Sequence, residues 1–571
     1  MARFLAAACL AGVGVALFAG GALALERHPA PGDVTRGALL APPNQTPEGA
    51  DTTSFGVNLD ALVFLDADDA VVPAPPGVTV DTHRVPLLDD PQFKASVAGF
   101  IGQPLSQRLI GEIEAAVARF YREKGYPFVS IITPPQEISG GDLRLRVVEF
   151  VTGTITAAGN TRAGDRDILG SIRLETGNRI YAPKLAQDLE WLSRSPFREV
   201  TAEFSPGTDL GVTNLTVRSR EERPWSAFAG YSNTGPRAQR DRYFAGASVG
   251  DVWGINSLAS FQVTGSPDFW IAGGKPFGAA DSAAYASIAG LAVMPLGPRS
   301  ALQLSGDGVR TNTSDGVFET LGETVEGALT KTAALSNVID LPGDLSIGVE
   351  ARRETKTRTF GGAFVDRNSF NVYQATIGWS SASGGDNTLA VDLHYSPGNL
   401  DAANSDTAMA TASQGRVTSA AYSYMTVDAS GRMPIAAGFD VAMTFLGQAS
   451  TGPLPETEQV ALGGLDAVRG FYAEDGTYDM RALLRSEVLL PSVPFDGGHT
   501  VSLRPYAFVD TAAVGNVGAA AGLFAASAGA GGRFAIGNAV SGEVAVARTL
   551  TTAAATPGGN WTGYFRLTGR Y

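Results

Sequence analysis

Helical and strand-like hydrophobic periodicities alternate between residues 56 and 222. The clearest helix is predicted over residues 106–124, where Ser106 can cap the start and Gly125 can end it. Apolar side chains recur there every three to four residues, at Leu109, Ile113, Val117 and Phe120. Further helices are predicted over residues 165–174 and 183–193, with short strands before and after them. This order predicts two successive α+β units of the form strand–helix–helix–strand–strand, at residues 56–150 and 151–222.

A period of two replaces this pattern from residue 223 to the C-terminus. In Leu345–Glu354 the apolar side chains share one parity, and Glu350, Arg352 and Glu354 share the other. Successive side chains of a strand face opposite sides, so such a segment has one apolar and one polar face. The segments are about ten residues long, enough to cross an outer membrane when tilted, and a charge facing lipid near the midplane costs about 2–4 kcal/mol. At roughly 22 residues for each strand and its loop, this part of the chain predicts a transmembrane antiparallel β-barrel of about 16 strands.

The first 24 residues have the order of a secretory signal peptide. Arg3 is followed by an apolar stretch over residues 4–18 and by a small-residue site that ends at Ala24. We expect cleavage after Ala24 and export of the mature protein. Residues 25–55 are rich in proline and predict a linker or a plug arm. The only cysteine, Cys9, lies in the leader, so the mature chain has no disulfide framework.

Composition and motif spacing exclude several classes of function. A formal net charge of −14 argues against a nucleic-acid-binding protein, which normally has a basic face. The four histidines are scattered without metal-ligand spacing, so we expect neither a metal site nor another cofactor. Gly246–Gly250 matches the G-x-S-x-G pattern, but it fits a strand and no helix follows, so no catalytic residue is assigned and an enzyme is not expected. The acidic residues Asp66, Asp68 and Asp69 are interpreted as a solvated turn rather than a metal site.

The α+β part contains a set of short motifs in a fixed order. They are Tyr121-Arg-Glu-Lys-Gly-Tyr126, Pro134-Pro-Gln136, Gly140-Gly-Asp-Leu143 and Val147-Val-Glu149. This order resembles the first POTRA domain of the outer-membrane transporters of two-partner secretion (TpsB), the haemolysin-activator and haemagglutinin-exporter family of the ShlB/FhaC/HecB type. The resemblance implies that residues 56–150 are POTRA domain 1 and residues 151–222 POTRA domain 2, followed by the β-barrel over residues 223–571.

A second group of motifs lies in the barrel part. Leu462-Gly-Gly464 precedes Val468, Arg469, Gly470 and Phe471, and a strand with Phe508 and Asp510 follows. These residues resemble the loop motif and its partner strand motif in the same family and in the wider barrel-assembly superfamily. The terminal residues Phe565, Leu567 and Tyr571 share one face and resemble the C-terminal insertion signal of the family.

Arg469 and Asp510 form a candidate latch for reasons independent of the resemblance. Asp510 shares its parity with Ser502 and Arg504 and should point into the lumen. Arg469 lies in a stretch over residues 452–478 that is too long for a simple hairpin. If this stretch folds back into the barrel, the Arg469 guanidinium can present a fork of donors to the Asp510 carboxylate. On these residues alone, Arg469 could equally be a solvated loop arginine. The resemblance of the motif favours the pair, and it implies that the pair controls transport.

The resemblance also implies a location and a function. We expect an outer-membrane protein of a Gram-negative bacterium, with periplasmic POTRA domains, in contact with membrane lipid and inserted by the barrel-assembly machinery. The POTRA domains would capture an exoprotein client, unfolded in the periplasm, by adding it to a sheet edge. The client would cross the membrane through the barrel to the cell surface or medium. A barrel-assembly or insertion factor of the same superfamily and a general porin remain as alternatives.

Overall fold

The computed structural model describes residues 51–159, 162–237, 239–271, 283–315, 317–339, 341–383, 387–496 and 500–571. The predicted signal peptide, its cleavage site after Ala24 and the predicted arm up to residue 50 lie outside the described residues. The described chain forms two compact units, of which one ends at Glu222 and the other begins at Arg223. No helix within these ranges is long and apolar enough to cross a membrane.

The first α+β domain consists of a four-stranded sheet, a separate strand pair and two helices. Its elements are β1 (Ser54–Asn58), β2 (Ala61–Leu65), β3 (Val80–Asp81), a 3-10 turn (Pro86–Leu88), α1 (Pro91–Ala98), β4 (Pro104–Ser106), α2 (Gln107–Glu123), β5 (Val129–Ile132) and β6 (Asp142–Glu149). The sheet order is β3-β2-β6-β5, and β1 pairs with β4. The predicted helix over residues 106–124 is confirmed, since the Ser106 hydroxyl accepts a hydrogen bond from the Leu109 N–H at 3.2 Å and Gly125 has a φ of +87°.

The second α+β domain has a three-stranded sheet and two helices. Its elements are β7 (Val151–Ala158), α3 (Asp165–Leu169), α4 (Ala182–Leu192), β8 (Arg198–Pro206) and β9 (Val212–Glu221). In the order β7-β9-β8, β7 is parallel and β8 antiparallel to β9. The helix predicted over residues 165–174 is wrong in its length. It ends at Leu169 because the Asp188 carboxylate accepts hydrogen bonds from the Arg173 backbone N–H and Nε, each at 2.8 Å, and holds that residue outside a helical turn.

The chain from Arg223 onward forms a closed antiparallel β-barrel. Its elements are β10 (Trp225–Ser232), β11 (Arg242–Gly250), β12 (Leu258–Gly265), α5 (Pro267–Ile271), β13 (Tyr285–Gly297), β14 (Ser300–Asp315), β15 (Phe318–Ala334), a 3-10 turn (Leu335–Asn337), β16 (Asp344–Phe360), β17 (Ala363–Ser383), β18 (Asn387–Ser396), α6 (Asp406–Ala412), β19 (Tyr422–Ala436), β20 (Phe439–Ser450), a 3-10 turn (Glu456–Glu458), β21 (Val460–Ala461), a 3-10 turn (Ala473–Asp475), β22 (Thr477–Tyr478), β23 (Met480–Leu489), β24 (Val493–Asp496), β25 (Thr500–Gly515), β26 (Leu523–Ile536), β27 (Val540–Thr549) and β28 (Trp561–Arg570). β24 continues β23, since both pair with β25, and β21 pairs with β22. Counted in this way, the described residues contain sixteen wall strands, which confirms the predicted number.

Apolar and charged side chains alternate along the wall largely as predicted. On β16, Ile347 and Val349 face outwards and are more than half exposed, whereas Arg352 is buried on the inner side. The prediction that charges keep to the inner parity is wrong at several positions, among them Arg310, Arg353 and Lys331, which take the outward parity. Lys331 lies in the half of the wall nearer the start of β10, and Arg310 and Arg353 lie in the half opposite to it. The strands there have 16 or 17 residues, more than the about ten that cross a membrane, so they extend beyond its apolar layer.

The barrel sheet closes where β10 pairs antiparallel with β28. The backbone of Tyr571 exchanges two hydrogen bonds with that of Ala227, at 3.1 and 2.8 Å, so the last residue takes part in the closure. β10 begins and β28 ends at the same end of the barrel. β20 is the eleventh wall strand and runs in the same direction as β10. The connection from β20 to β23 therefore starts at the opposite end.

Candidate functional site in the barrel lumen

The connection between β20 and β23, residues 451–479, folds back into the barrel, and we call it the lumen loop. Its side chains Leu462, Val468 and Phe471 are fully buried although they belong to no wall strand. They pack against apolar side chains that face inwards from the wall, namely Leu446, Leu483, Ala512, Val514 and Ala525. The loop thus fills part of the lumen instead of extending into solvent.

Arg469 of the lumen loop is fully buried and makes a bidentate ion pair with Asp510 on β25. Its Nε and Nη2 donate to the two carboxylate oxygens, each at 2.7 Å, and its backbone N–H donates to the same carboxylate at 3.1 Å. Nη1 donates to Glu487 Oε1 at 2.7 Å. Two parallel hydrogen bonds fix the orientation of both groups. Removal of Asp510 would leave the buried guanidinium with Glu487 as its carboxylate partner and without the bidentate contact.

Further charged side chains surround this pair and balance it. Arg533 Nη2 lies 2.9 Å from Glu487, and Arg533 Nε lies 3.3 Å from Glu543. Arg485 Nε lies 3.9 Å from Asp510. The cluster contains three arginines and three carboxylates: Arg469, Arg485, Arg533, Asp510, Glu487 and Glu543. Opposite charges are therefore equal in number in this cluster, and each arginine lies next to at least one carboxylate.

Phe508, two residues before Asp510, forms the surface on which Arg469 lies. The guanidinium carbon of Arg469 is 3.5 Å from the centroid of the Phe508 ring, which gives a cation–π contact. Gly529 on β26 provides the room for this ring, since a Cβ added there would lie 2.5 Å from Phe508 Cζ. Phe508 and Asp510 therefore hold the face and the edge of the same guanidinium.

The other residues of the loop motif shape the chain around Arg469. Gly470 has a φ of +100°, a conformation that side chains with a Cβ rarely adopt, and its N–H donates to the Tyr564 hydroxyl at 2.8 Å. Val468 and Phe471 lie in the apolar cluster on either side. Gly463 is required by close approach, since a Cβ there would lie 2.4 Å from the carbonyl carbon of Phe471.

The terminal residues Phe565, Leu567 and Tyr571 lie on the outward parity of the closing strand. Tyr571 is 74% exposed, and its ring centroid lies 5.7 Å from that of Trp225. The guanidinium carbon of Arg223 lies 4.7 Å from the Tyr571 centroid. The first and last residues of the barrel therefore contact each other through side chains as well as backbone. The role of these residues in membrane insertion stays a prediction.

The motifs of the first α+β domain meet at its junction with the second. The Tyr121 hydroxyl donates to Glu149 Oε1 at 2.6 Å, and Arg179 of the second domain donates to both oxygens of the same carboxylate, at 3.0 and 2.9 Å. A Cβ added to Gly125 would lie 2.4 Å from the Tyr181 ring. Burial, and then the hydrogen bond to Glu149, raise the pKa of the Tyr121 hydroxyl, which keeps it a donor. These motif residues thus join the two α+β domains.

Four members of the charged cluster, Arg485, Glu487, Arg533 and Glu543, were not singled out from the sequence. Parity alone was an available signal, because Arg485 and Glu487 alternate with apolar residues on one strand. However, only the pairing of β23 with β25 places Arg485 opposite Asp510. Cross-strand register, and not sequence distance, decides which charges meet.

Two other candidates from the sequence lie in ordinary structural positions. Gly246–Gly250 is part of β11, a wall strand, and not of the strand–helix turn that a nucleophile elbow requires. Asp66 and Asp69 form a turn in which the Asp69 N–H donates to the Asp66 carbonyl at 3.2 Å. Among the residues with described positions, no group of three or more His, Cys, Asp or Glu side chains is arranged to hold a metal ion.

Known proteins are similar in sequence to part of this chain, and a solved structure is similar to it in fold. The outer membrane transporter CdiB of Dickeya dadantii (strain 3937) is 24% identical over 189 residues, which are 32% of this chain and 33% of that protein. The heme/hemopexin transporter protein HuxB of Haemophilus influenzae is 22% identical over 160 residues, which are 27% of this chain and 28% of that protein. The matched segments span about a third of the length of these curated relatives.

The solved structure of CdiB from Escherichia coli has the same fold, with a TM-score of 0.67 at 17% identity and 94% of each chain covered. A POTRA domain model of the ShlB type matches residues 78–149. The family model described as haemolysin secretion/activation protein ShlB/FhaC/HecB matches residues 211–534, more than half of the chain. The chain therefore belongs to the ShlB/FhaC/HecB family and is an outer-membrane β-barrel protein with two POTRA domains in the periplasm.

Proposed function

We propose that this protein is the outer-membrane transporter of a two-partner secretion pair. In this proposal the POTRA domains bind an exoprotein that is unfolded in the periplasm, and the barrel passes it to the cell surface or medium. The observation that carries the proposal is the lumen loop, held inside a closed barrel by the buried Arg469–Asp510 pair. Family membership and the transporter relatives support it.

The lumen loop distinguishes this proposal from a general porin. A diffusion channel needs an open lumen, whereas here a folded segment with its own apolar cluster occupies part of it. A polymer could pass only if this segment moved. A buried, oriented ion pair suits such a movable part, because it specifies one position of the loop without covalent attachment.

We propose that client capture uses the sheet edges of the POTRA domains. Among the described strands, β5 is at an edge of the first sheet and β8 at an edge of the second. An edge strand presents unpaired N–H and C=O groups, so an extended segment can pair with it through main-chain hydrogen bonds. This mode demands little of the client sequence, which suits an unfolded partner. Folding of the client outside the cell would then favour export.

We further propose that Phe565, Leu567 and Tyr571 serve as the signal by which the barrel-assembly machinery inserts the chain. Their outward parity directs two of them to the lipid side of β28, and Tyr571 stands at the seam of the barrel. Outer-membrane lipid would contact the apolar outward positions of the wall, such as Ile347 and Val349.

The proposal is tested by deleting the gene and comparing culture supernatant and outer membrane with those of the parent strain by quantitative mass spectrometry. Loss of one large exoprotein, restored by the wild-type gene, is the expected result and identifies the client. Depletion of many outer-membrane barrels would instead assign an assembly or insertion factor. If neither fraction changes under conditions in which the client is expressed, the secretion proposal is wrong and a porin is favoured.

A further inference from the structure

The lumen loop is attached to the wall at a second place, through Glu458. This residue is 1% exposed, and its carboxylate accepts hydrogen bonds from Arg352 on β16 and from the Tyr424 hydroxyl on β19, the latter at 2.8 Å. Arg352 Nη1 also donates to the Thr457 carbonyl at 2.9 Å. The Gln448 side chain on β20 donates to the Glu458 carbonyl at 2.9 Å. Side chain and backbone of the loop are therefore both held here.

The two attachments lie on different parts of the barrel. Arg352 is on the seventh of the sixteen wall strands and Asp510 on the thirteenth, so they are six strands apart in one direction and ten in the other. The attached loop residues, Glu458 and Arg469, are eleven positions apart in sequence. The other contacts of Glu458, on β19 and β20, lie only three and two wall strands from β25, so Arg352 is the distant contact of this attachment.

The two attachments differ in their balance of charge. Around Arg469, three arginines face three carboxylates. Around Arg352, the ion pairs contain two cations and five carboxylates: Arg352, Lys356, Glu326, Glu350, Glu354, Glu456 and Glu458. Glu326 Oε1 is buried and has no hydrogen-bond partner among the described residues.

Two of these five carboxylates, Glu456 and Glu458, are brought by the loop itself. Glu458 is buried, whereas the Glu456 side chain is 62% exposed, so the repulsion is concentrated at Glu458. Like charges repel strongly where burial limits screening by water. Departure of the loop would leave Arg352 and Lys356 with three wall carboxylates, a smaller excess of negative charge. The repulsion at this attachment therefore favours release, whereas no such excess exists at Arg469.

We propose that the barrel opens by release of Glu458 from Arg352 while Arg469 stays bound to Asp510. Arg352 is then a positioning residue that holds the closed state through Glu458, and the Arg469 attachment is the fixed end about which the loop turns. This inference rests on the proposed function in one respect, that the lumen is the path of transport.

The first test measures single-channel openings of the purified full-length protein in planar bilayers with KCl. Arg352→Met removes the guanidinium that pairs with Glu326, Glu350 and Glu458 and is expected to raise the frequency of large openings about tenfold. The control is Arg504→Met, which changes an arginine that pairs with Asp440 on the wall, and which is expected to gate as wild type. Retained heat-modifiable mobility in electrophoresis shows that each barrel is folded. Unchanged openings in Arg352→Met would overturn the proposal.

A double variant separates repulsion from mere loss of packing. Glu458→Gln removes one negative charge and keeps an acceptor for Tyr424, so Arg352→Met/Glu458→Gln is expected to open less often than Arg352→Met alone. If Arg352 only packs the structure, the second substitution loosens the loop further and openings become more frequent. That result would also overturn the proposal.

Thiol cross-linking then identifies the end that moves, because Cys9 is the only cysteine of the sequence and lies in the predicted leader. Two cysteine pairs are introduced separately into the Arg352→Met variant. One pair, Lys356→Cys with Glu456→Cys, links the loop to the wall near Glu458. The other pair, Asp466→Cys with Arg566→Cys, links it near Arg469. A cleavable cross-linker that reacts with two thiols is expected to abolish openings only in the variant linked near Glu458, and a reductant is expected to restore them. Closure by the second pair alone, by both, or by neither contradicts the proposal. These experiments measure ion flow and need no client. Their outcome is therefore independent of whether deletion of the gene changes the secretion of any exoprotein.

Discussion

Arg469 and Asp510 are joined inside the barrel by two parallel hydrogen bonds, each of 2.7 Å. Neither residue has any exposed surface. A pair so placed connects the lumen loop to the wall through geometry as well as charge, since only a planar guanidinium can satisfy both carboxylate oxygens and still lie flat on Phe508. The position of the lumen loop therefore depends on a guanidinium at residue 469 and a carboxylate at residue 510.

Arg469→Lys keeps the charge and loses the fork, so we expect secretion of the client to be lost or strongly reduced while the barrel still folds. At least one charge-assisted hydrogen bond disappears, worth about 1.5–3 kcal/mol. Asp510→Asn is expected to act in the same direction. The measurement is client in the medium beside heat-modifiable mobility of the barrel, with Arg504→Lys as a control on the same wall. If Arg469→Lys and Asp510→Asn both secrete at the wild-type level, the latch hypothesis is wrong.

Gly529→Ala tests whether the Phe508 ring must lie flat against the wall. The added Cβ would meet Phe508 Cζ at 2.5 Å and the Val546 carbonyl oxygen at 2.1 Å, so the ring and the guanidinium on it have to move. Such overpacking costs about 1–3 kcal/mol. We expect reduced secretion, as for Arg469→Lys, and normal secretion by the control Gly563→Ala, whose Cβ would meet no atom within 4 Å. Equal secretion by the two variants would show that Phe508 is not needed in this position.

Part of the Arg469–Asp510 latch could be predicted from the sequence. Strand parity placed Asp510 in the lumen, and the length of residues 452–478 indicated a loop too long for a hairpin. Parity is a local property, so it survives without knowledge of the fold. Glu487 and Arg533 belong to strands that meet Asp510 only through cross-strand register, and register depends on the closed barrel.

The attachment of Glu458 to Arg352 could be predicted from the sequence even less. Arg352 and Glu458 are 106 residues apart and join a wall strand to a loop across the lumen. No periodicity relates them. Likewise, the helix predicted to reach residue 174 ends at Leu169 because of Asp188, a residue of the next helix. Contacts made after the elements assemble override local propensity in both places.

Gly125→Ala tests the junction of the two POTRA domains. The residue has a φ of +87°, and an added Cβ would lie 2.4 Å from the Tyr181 ring, so backbone strain and a clash coincide. We expect a looser junction, seen as faster limited proteolysis between the domains in the full-length protein, and reduced secretion with a normally folded barrel. Gly99→Ala, at a φ of −68° with open space around the Cβ, is the matched control. Unchanged proteolysis and secretion in Gly125→Ala would contradict a need for this close approach.

Asp90 gives the first POTRA domain a defined dependence on pH. Its carboxylate accepts hydrogen bonds from Lys124 Nζ at 2.8 Å and from the Gln92 N–H at 2.7 Å, and these lower its pKa, the lysine contact first. A carboxyl group whose pKa is lower in the folded than in the unfolded chain stabilises the folded state. This contribution is complete above the pKa of the unfolded chain, about 4, and is lost as the pH falls through the pKa of the folded chain. Asp90→Asn should therefore speed amide exchange in α1 at neutral pH and have a smaller effect at about pH 3, below the pKa of the unfolded chain.

Hydrogen-exchange mass spectrometry of the full-length protein, comparing variant and wild type at each pH, measures this difference. Asp68→Asn, at an exposed turn residue, is the control. An equal effect of Asp90→Asn at both pH values would assign it to altered shape rather than to lost charge.

Tyr571→Ala tests the C-terminal insertion signal. The substitution leaves the two backbone hydrogen bonds to Ala227 and removes the ring that contacts Trp225 and Arg223 across the seam. Such aromatic contacts contribute about 0.5–1.5 kcal/mol, and their loss at the last strand to close should slow insertion. We expect severalfold less folded barrel in the outer membrane, with Tyr571→Phe near the wild-type level because the ring is kept. Leu550→Ala, at another exposed apolar residue, should insert normally. If Tyr571→Ala reaches the wild-type level in immunoblots of outer-membrane fractions, closure depends on the backbone of Tyr571 and not on its ring.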